Sequence, residues 1–232
     1  MTARESALIV GAGSGLSAAL ARLFASEGMA VALAARDTGK LAALMGETGA
    51  QAHACDAADA DSVARLFAAV AEAQGFPDVV VYNPSARVRG PIAELDAAEV
   101  AHTLSVTAFG GFLVGQAAAR GMLARGSGTV LFTGASASVR GFANSAPFAM
   151  GKFALRGLAE SMARELQPKN IHVAHFIIDG GIARADDPRA AARGPDGLLH
   201  PDEIAKNYLH VHRQHRSAWS FEIALRPWSE KF

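Results

Sequence analysis

The chain has 232 residues, of which 50% are hydrophobic and 19% are charged, and its 22 basic residues balance its 22 acidic residues. This length can bury the core of one α/β domain, and the neutral charge balance provides no basic face for nucleic acid. The only cysteine, Cys55, excludes an internal disulfide and a site with several thiolate ligands, which fits a cytoplasmic location. The charged residues Arg4 and Glu5 come just before the short apolar run at 7–10 and the glycines after it, an arrangement that we expect to leave no room for the apolar segment of a signal peptide.

Short apolar runs alternate with segments of helical periodicity along the whole chain. The predicted strands are residues 7–10, 30–34, 79–82, 130–132 and 173–178, and the predicted helices are about 15–28, 38–46, 60–74, 97–124 and 147–167. This alternation is typical of a doubly wound parallel sheet with helices on both faces. We therefore predict a single α/β domain over residues 1–232.

The C-terminal part of the chain has a different character. Residues 182–200 are rich in Gly, Pro, Asp and Arg and predict a mobile substrate flap, followed by a helix and strand over about 201–227. Residues 101–119 lack charged side chains, but their Thr, Ser, Gln and Gly residues favour a core or interface helix over a membrane span. We expect no membrane partner.

The first predicted strand runs into a glycine-rich turn that opens a helix. The turn reads Gly11-Ala12-Gly13-Ser14-Gly15-Leu16-Ser17. Glycine at position 11 permits a tight turn, and glycine at position 15 lets backbone approach a pyrophosphate at the positive end of the helix. Gly11, Ser14, Gly15 and Leu16 are therefore candidate cofactor-binding residues, although such a turn also occurs as a purely structural connection.

The tip of the second strand bears on which dinucleotide would bind. This strand ends Ala34-Ala35-Arg36-Asp37. An acidic residue at the tip would select the free 2′-hydroxyl of NAD, whereas Arg36 can accept the 2′-phosphate of NADP. The sequence favours NADP over NAD, with a merely solvated Arg36 as the alternative.

These features together resemble the short-chain dehydrogenase/reductase family over nearly the whole chain. The matching positions are Gly11 to Gly15, Asp56 where the family's third strand ends, Asn83 after the strand at 79–82, which corresponds to the family's fourth, Lys152, and Gly180 after the strand at 173–178. The resemblance implies an NAD(P)-binding Rossmann fold with strand order 3-2-1-4-5-6-7, and it adds Asp56, Asn83 and Lys152 to the cofactor-binding candidates. It also implies a homodimer or homotetramer formed through the two long helices and the last strand.

The resemblance breaks at the catalytic positions. The family has a catalytic Tyr four residues before its Lys, on the same helical face, whereas this chain has Phe148 before Lys152. Ala135 falls at the family's Ser position, so Ser136 is the candidate for that role, and Thr107 falls at its Asn position. Lys152 either takes part in catalysis or only holds the nicotinamide ribose.

Two further departures concern the turn and the sixth strand. Ser17 stands where the family has a third glycine, and Asp179 precedes Gly180 where the family has proline. Asp179 follows a strand at the edge where open α/β sheets bind ligands, so it is a candidate general acid or base, with a turn-capping residue as the alternative.

The resulting prediction is an NADP(H)-dependent oxidoreductase that acts on a small or medium carbonyl or alcohol through a non-standard site. The alternatives are a nucleotide-binding protein with little or no redox activity and a non-redox lyase or isomerase. No metal site is predicted, because His210 and His212 would point to nearly opposite sides of a helix. The C-terminal aromatic residues Trp219, Phe221, Trp228 and Phe232 predict an edge strand covered by a partner subunit.

Overall fold

A computed structural model describes residues 4–230 of the chain. Seven parallel strands form one sheet in the order β3-β2-β1-β4-β5-β6-β7, which confirms the order implied by the family resemblance. The strands are β1 (Ser6–Val10), β2 (Ala30–Ala35), β3 (Gln51–Ala54), β4 (Val79–Tyr82), β5 (Gly128–Thr133), β6 (Ile171–Ile178) and β7 (Glu222–Leu225).

Helices connect successive strands and cover both faces of the sheet. They are α1 (Leu16–Ser26), α2 (Ala42–Thr48), α3 (Ala60–Gln74), α4 (Ala97–Leu104), α5 (Gly110–Arg125), α6 (Ala146–Leu166), α7 (Ala190–Arg193) and α8 (Pro201–His212). Local signals set some of the boundaries, since the Asp59 carboxylate accepts a hydrogen bond from the Ser62 amide at the start of α3. Residues 182–200 contain only the short α7, and their role as a substrate flap stays a prediction.

Alternate residues of the strands supply two apolar cores. Ala7 and Ile9 of β1 face the core under α1, α2 and α8, whereas Leu8 and Val10 face the core under α3, α5 and α6. Side chains of a strand alternate between the faces of a sheet, so an uninterrupted apolar run is what burial on both faces requires. Each fully buried Leu or Ile contributes roughly 1.5–3 kcal/mol, and the two cores together hold the sheet in place.

The parallel register brings the ends of the central strands to one edge of the sheet. Val10 of β1 pairs with Tyr82 of β4, and Tyr82 pairs with Phe132 of β5. The residues that follow these strands therefore emerge side by side, at the edge where open α/β sheets bind ligands. Every sequence-predicted site residue that follows β1, β4, β5 or β6 lies at this edge.

The long helix predicted over residues 97–124 is interrupted by a π-helical turn at Ser105–Phe109. The Tyr82 hydroxyl donates a hydrogen bond to the Val106 carbonyl within this turn. Gly110 permits the contact, because a Cβ there would lie 2.5 Å from the Tyr82 hydroxyl oxygen. The Tyr82 side chain from β4 thus donates a hydrogen bond to a carbonyl inside the π-helical turn, and Thr107 lies in the same turn.

The whole stretch Ala97–Arg125 is long and apolar enough to cross a membrane by length and composition alone, a test that core helices also pass. Phe109 and Phe112 form an exposed stacked pair on it, with ring centroids 6.0 Å apart. An exposed aromatic patch of this kind favours contact with another subunit. Trp228 is 81% exposed, and Phe232 lies outside the described residues. The oligomer remains a prediction.

A buried histidine joins β6 to β7. The His175 side chain is fully buried, and its Nδ1 lies 3.0 Å from a carboxylate oxygen of Glu222 on β7. The Arg156 guanidinium donates two hydrogen bonds to the same carboxylate, at 2.6 and 3.1 Å. Burial lowers the pKa of His175 to about 4, although the neighbouring Glu222 carboxylate acts in the opposite direction. The imidazole is therefore neutral in the folded protein near pH 7.

We expect the fold to lose stability as the pH falls from about 6.5 toward 4. In this window the unfolded chain binds a proton at residue 175 that the folded chain excludes, so the free energy of unfolding falls by about 2 kcal/mol between pH 6.5 and 5. His175→Gln should reduce this loss in urea unfolding measured at several pH values. At pH 8 the free energies of unfolding of the two chains should differ only by the pH-independent effect of the substitution. An unchanged pH dependence in the variant would assign the effect to other groups.

Candidate active site

The glycine turn begins at a position that only glycine can occupy without strain. Gly11 follows β1 with a φ of +83°, and a Cβ built there would lie 2.7 Å from the backbone nitrogen of Pro84. Both conditions exclude a side chain, because the left-handed conformation strains other residues and Pro84 belongs to the adjacent loop. The amides of Gly11 and Ala12 both donate to the Ala34 carbonyl at 2.9 Å, which closes the turn against β2.

A buried serine explains the missing third glycine. The Ser17 hydroxyl donates to the Gly11 carbonyl at 3.0 Å and accepts a hydrogen bond from the Asn83 amide group at 2.7 Å. The Asn83 backbone amide also donates to Val10 at 3.0 Å. Asn83 therefore supports the turn from the neighbouring strand end, and Ser17 fixes α1 against it.

The outer side of the turn is open. A Cβ added to Gly13 or Gly15 would meet no atom within 4 Å, and Gly15 begins α1 without a side-chain hydrogen bond to cap it. Ser14 is exposed between them, whereas the Leu16 side chain is buried and can present only its backbone. An uncapped helix N-terminus lined by glycines fits an anionic phosphate group, as a dinucleotide requires.

Two charged residues lie at the ends of the adjacent strands β2 and β3. Arg36 directly follows β2, is exposed, and forms no ion pair with any residue between 4 and 230. The Cys55 amide donates a hydrogen bond to the Ala35 carbonyl at 3.0 Å, which brings the end of β3, and with it Asp56, alongside the end of β2. The Asp56 carboxylate accepts a hydrogen bond from the Ala58 amide at 3.0 Å, so it is held in a tight turn. Arg36 and Asp56 both lie at the carboxyl ends of their strands.

Lys152 is buried at the centre of the site. Its side chain is 3% exposed, and its ammonium group donates to the Thr133 carbonyl at the end of β5, at 2.7 Å. Burial, followed by the positive charge of Arg87, lowers the pKa of Lys152 to about 7. The ammonium carries further N–H donors, which fit the hydroxyl groups of a ribose.

Phe148 lies between two cations. The Lys152 nitrogen is 6.0 Å from the centroid of its ring, and the Cζ atom of Arg87 is 3.8 Å from the same centroid. The Phe148 side chain is 7% exposed and brings no hydroxyl to the site. The residue that replaces the family's phenol thus serves as an aromatic surface for a guanidinium.

The hydroxyl groups after β5 have separate roles. The Ser138 hydroxyl is buried and accepts a hydrogen bond from the Ala135 amide at 3.1 Å, which holds the 3₁₀ turn Ser136–Ser138 together. Ser136 is half-buried at the start of this turn, and its hydroxyl forms no hydrogen bond with the described residues. Of these two serines, Ser136 is the one whose hydroxyl can face a ligand.

Asp179 is held by two arginines. One carboxylate oxygen lies 3.0 Å from Arg140 and the other lies 3.6 Å from Arg226, and the Asp179 side chain is largely buried. The geometry favours a structural anchor that fixes Arg140 beside the site.

The sequence interpretation overlooked Arg87 and Arg140. Arg87 lies in an irregular loop after β4, and Arg140 follows the 3₁₀ turn after β5. Neither position belongs to a motif, and a single arginine in a loop reads as a solvated charge. Only the three-dimensional arrangement shows that Arg87 lies against Phe148 and that Arg140 forms an ion pair with Asp179.

The histidines of α8 and the following turn are not gathered into a site. His212 bonds Thr129 and Glu5, each at 2.9 Å, whereas His215 bonds Ser217 locally. Within residues 4–230, no group of three or more His, Cys, Asp or Glu side chains is placed to hold a metal ion.

Comparison with known sequences gives one consistent result. Residues 5–185 match the family model for short chain dehydrogenases. The 3-oxoacyl-(acyl-carrier-protein) reductase MabA of Mycobacterium bovis is 32% identical over 188 residues, which cover 80% of this chain and 74% of that protein. The cis-4-hydroxycyclohexanecarboxylate dehydrogenase of Sinomonas cyclohexanicum is 32% identical over 217 residues, covering 88% of this chain and 87% of the relative.

Solved structures agree with the sequence comparisons. A short-chain dehydrogenase from Rhodopseudomonas palustris is 38% identical, with a TM-score of 0.83 over 97% of this chain and 99% of its own. A metagenomic short-chain oxidoreductase in complex with NADP is 28% identical, with a TM-score of 0.85 over 98% of this chain and 99% of its own. The similarity therefore extends through the C-terminal helix and strand.

Proposed function

Since the chain belongs to the short-chain dehydrogenase family, we propose that it is an NADP(H)-dependent oxidoreductase acting on a small or medium carbonyl or alcohol. The observation that carries the proposal is the open glycine turn on the same sheet edge as the buried Lys152. When bound, a nicotinamide cofactor supplies or accepts the hydride. The similar metagenomic oxidoreductase was solved with NADP, which supports the same cofactor here.

Each proposed contact uses a group that this chain leaves available. Gly11, Ser14, Gly15 and the Leu16 backbone would form the cradle for the pyrophosphate. Arg36 would bind the 2′-phosphate, and Asp56 would lie beside the adenine. These contacts would fix the nucleotide end of the cofactor.

The other end of the cofactor would lie near Lys152, whose N–H donors would hold the ribose hydroxyls. Asn83 would act by bracing the glycine turn through Ser17. Ser136 is the proposed polar contact for a substrate oxygen. Asp179 would hold Arg140 in place, which is a smaller role than acid–base chemistry.

A nucleotide-binding protein with little redox activity is the second candidate. The loss of the phenol at Phe148 and of the hydroxyl at Ala135 favours it, because the family's proton-donating and substrate-orienting groups are both changed. A lyase or isomerase that uses Asp179 is less favoured, since two arginines engage that carboxylate. We also propose that the protein is cytoplasmic and forms a homodimer or homotetramer. The exposed aromatic pair of Phe109 and Phe112 on the long helix supports the assembly.

Titration with NADPH and NADH tests the cofactor proposal. We expect NADPH to bind more tightly, and Arg36→Ala should weaken NADPH binding by roughly tenfold to a hundredfold, the worth of a hydrogen-bonded charge, with NADH unaffected. Arg164→Ala, which removes an exposed arginine near the end of α6, is the matched control. An equal loss of affinity for NADPH and NADH in Arg36→Ala would contradict the proposed contact between Arg36 and the 2′-phosphate. Failure of both nucleotides to bind the natural chain would reject the proposed function.

A further inference from the structure

Arg87 is held in place on the substrate side of the site by its own loop. The Ala86 amide donates to the Thr107 hydroxyl at 3.3 Å, which ties the start of the loop to the π-helical turn. The Gly90 amide donates to the Asn144 carbonyl at 3.2 Å, which ties its end to the segment before α6. With both ends fixed, the Arg87 guanidinium lies against the face of Phe148.

The positive charge of Arg87 is not compensated by an acidic side chain. Within residues 4–230, neither Arg87 nor the nearby Arg89 forms a hydrogen bond or an ion pair through its side chain. Burial and, to a smaller extent, the charge of Arg87 lower the pKa of Lys152, and the two basic groups lie on the same Phe148 ring. Asp179, the buried acid at this edge, is already engaged by two other arginines. The site therefore has an excess of positive charge that an anion would relieve.

The contact that positions the Arg87 guanidinium is with α6 and not with the glycine turn or α1. The glycine turn precedes α1, whereas Arg87 lies against the first turns of α6, beside Lys152. A planar guanidinium stacked on an aromatic ring keeps its N–H edge free for a planar partner, and carboxylate matches that edge with two parallel hydrogen bonds.

We propose that Arg87 binds a carboxylate group of the substrate, so that the protein acts on carbonyl or alcohol compounds that carry a carboxylate. This inference rests on the proposed oxidoreductase function for the reaction, but the carboxylate site itself does not require turnover. Phe148 would then contribute to substrate binding, as the aromatic surface that orients Arg87. Arg87 would select the substrate by its charge.

Calorimetric titration of the NADPH-saturated protein with benzoate and with benzyl alcohol tests the proposal, because these probes share a ring and differ in charge. We expect benzoate to bind the natural chain at least about tenfold more tightly than benzyl alcohol. Arg87→Met should remove most of that preference, a loss of about tenfold or more, while the affinity for benzyl alcohol stays unchanged. Arg87→Lys should retain part of it, and Arg164→Met is the control.

Three results would overturn the proposal. One is equal affinity of the natural chain for both probes, and another is an unchanged benzoate preference in Arg87→Met. The third is a parallel loss of NADPH affinity in Arg87→Met, which would assign Arg87 to a cofactor phosphate. Melting curves should show that the variants fold, since Arg87 is exposed. If NADPH does not bind the natural chain, the oxidoreductase proposal fails, and the same titrations on the nucleotide-free protein still decide the role of Arg87.

Discussion

Phe148→Tyr is expected to raise kcat/KM for NADPH-dependent reduction of a carbonyl substrate by about 10²-fold. A positioned general acid contributes roughly 10² to 10⁴ in rate. The lower figure applies because the substitution does not restore the family's Ser and Asn, whose positions are occupied here by Ala135 and Thr107. The lysine four residues along α6 is present and buried, so the new phenol would have a cationic neighbour on its own helical face. Steady-state kinetics with NADPH oxidation as the signal would measure the change.

Phe153→Tyr provides the control for this substitution. Phe153 lies five residues further along α6 and is 46% exposed, so the hydroxyl of the new tyrosine would face away from the core and should leave both kinetic constants unchanged. The affinity for NADPH should be the same in all three chains. An unchanged rate in Phe148→Tyr, together with measurable turnover by the natural chain, would show that another group already delivers the proton.

Among single alanine substitutions in the glycine turn, Gly11→Ala is expected to lower the free energy of unfolding the most. The new Cβ would lie 2.7 Å from the Pro84 nitrogen, and the φ of +83° disfavours any side chain. The conformational term costs about 1–2 kcal/mol, and backbone displacement adds to it, so the free energy of unfolding should fall by roughly 3 kcal/mol. Chemical denaturation of the two chains would measure the difference.

Gly13→Ala is the matched comparison, because its Cβ would meet no atom within 4 Å and its φ is not positive. This variant should keep the stability of the natural chain to within about 0.5 kcal/mol and yet bind NADPH more weakly, since the methyl group would enter the proposed cradle. Equal stability of the Gly11 and Gly13 variants would disprove the steric account of the turn.

The overall fold was predictable because its signal is repeated along the chain. Each buried strand is an apolar run followed by a polar or glycine residue, and the family resemblance supplied the strand order, which periodicity alone does not contain. Helix ends were found to within a few residues, since caps such as Asp59 are local. The one major difference within a helix is the π-helical turn, where Tyr82, 24 positions away in sequence, donates a hydrogen bond to the Val106 carbonyl.

The site was less predictable, because its departures from the family pattern are explained by partners distant in sequence. Ser17 reads as a lost glycine in the sequence, whereas in the structure it accepts a hydrogen bond from Asn83, 66 residues away. Asp179 reads as a candidate acid or base, whereas in the structure its two carboxylate oxygens form ion pairs with Arg140 and Arg226. Pairings of this kind leave no periodic signal in a single sequence.

The bond between Ser17 and Asn83 also restricts the order in which substitutions could bring this chain to the common glycine pattern. Glycine at position 17 would leave the Asn83 amide group without its acceptor and the Gly11 carbonyl without its donor. Losing buried hydrogen bonds is costly, so glycine, the residue usual in the family, would be the harmful one in this background. The third glycine would be tolerated better after a change at position 83 than before it.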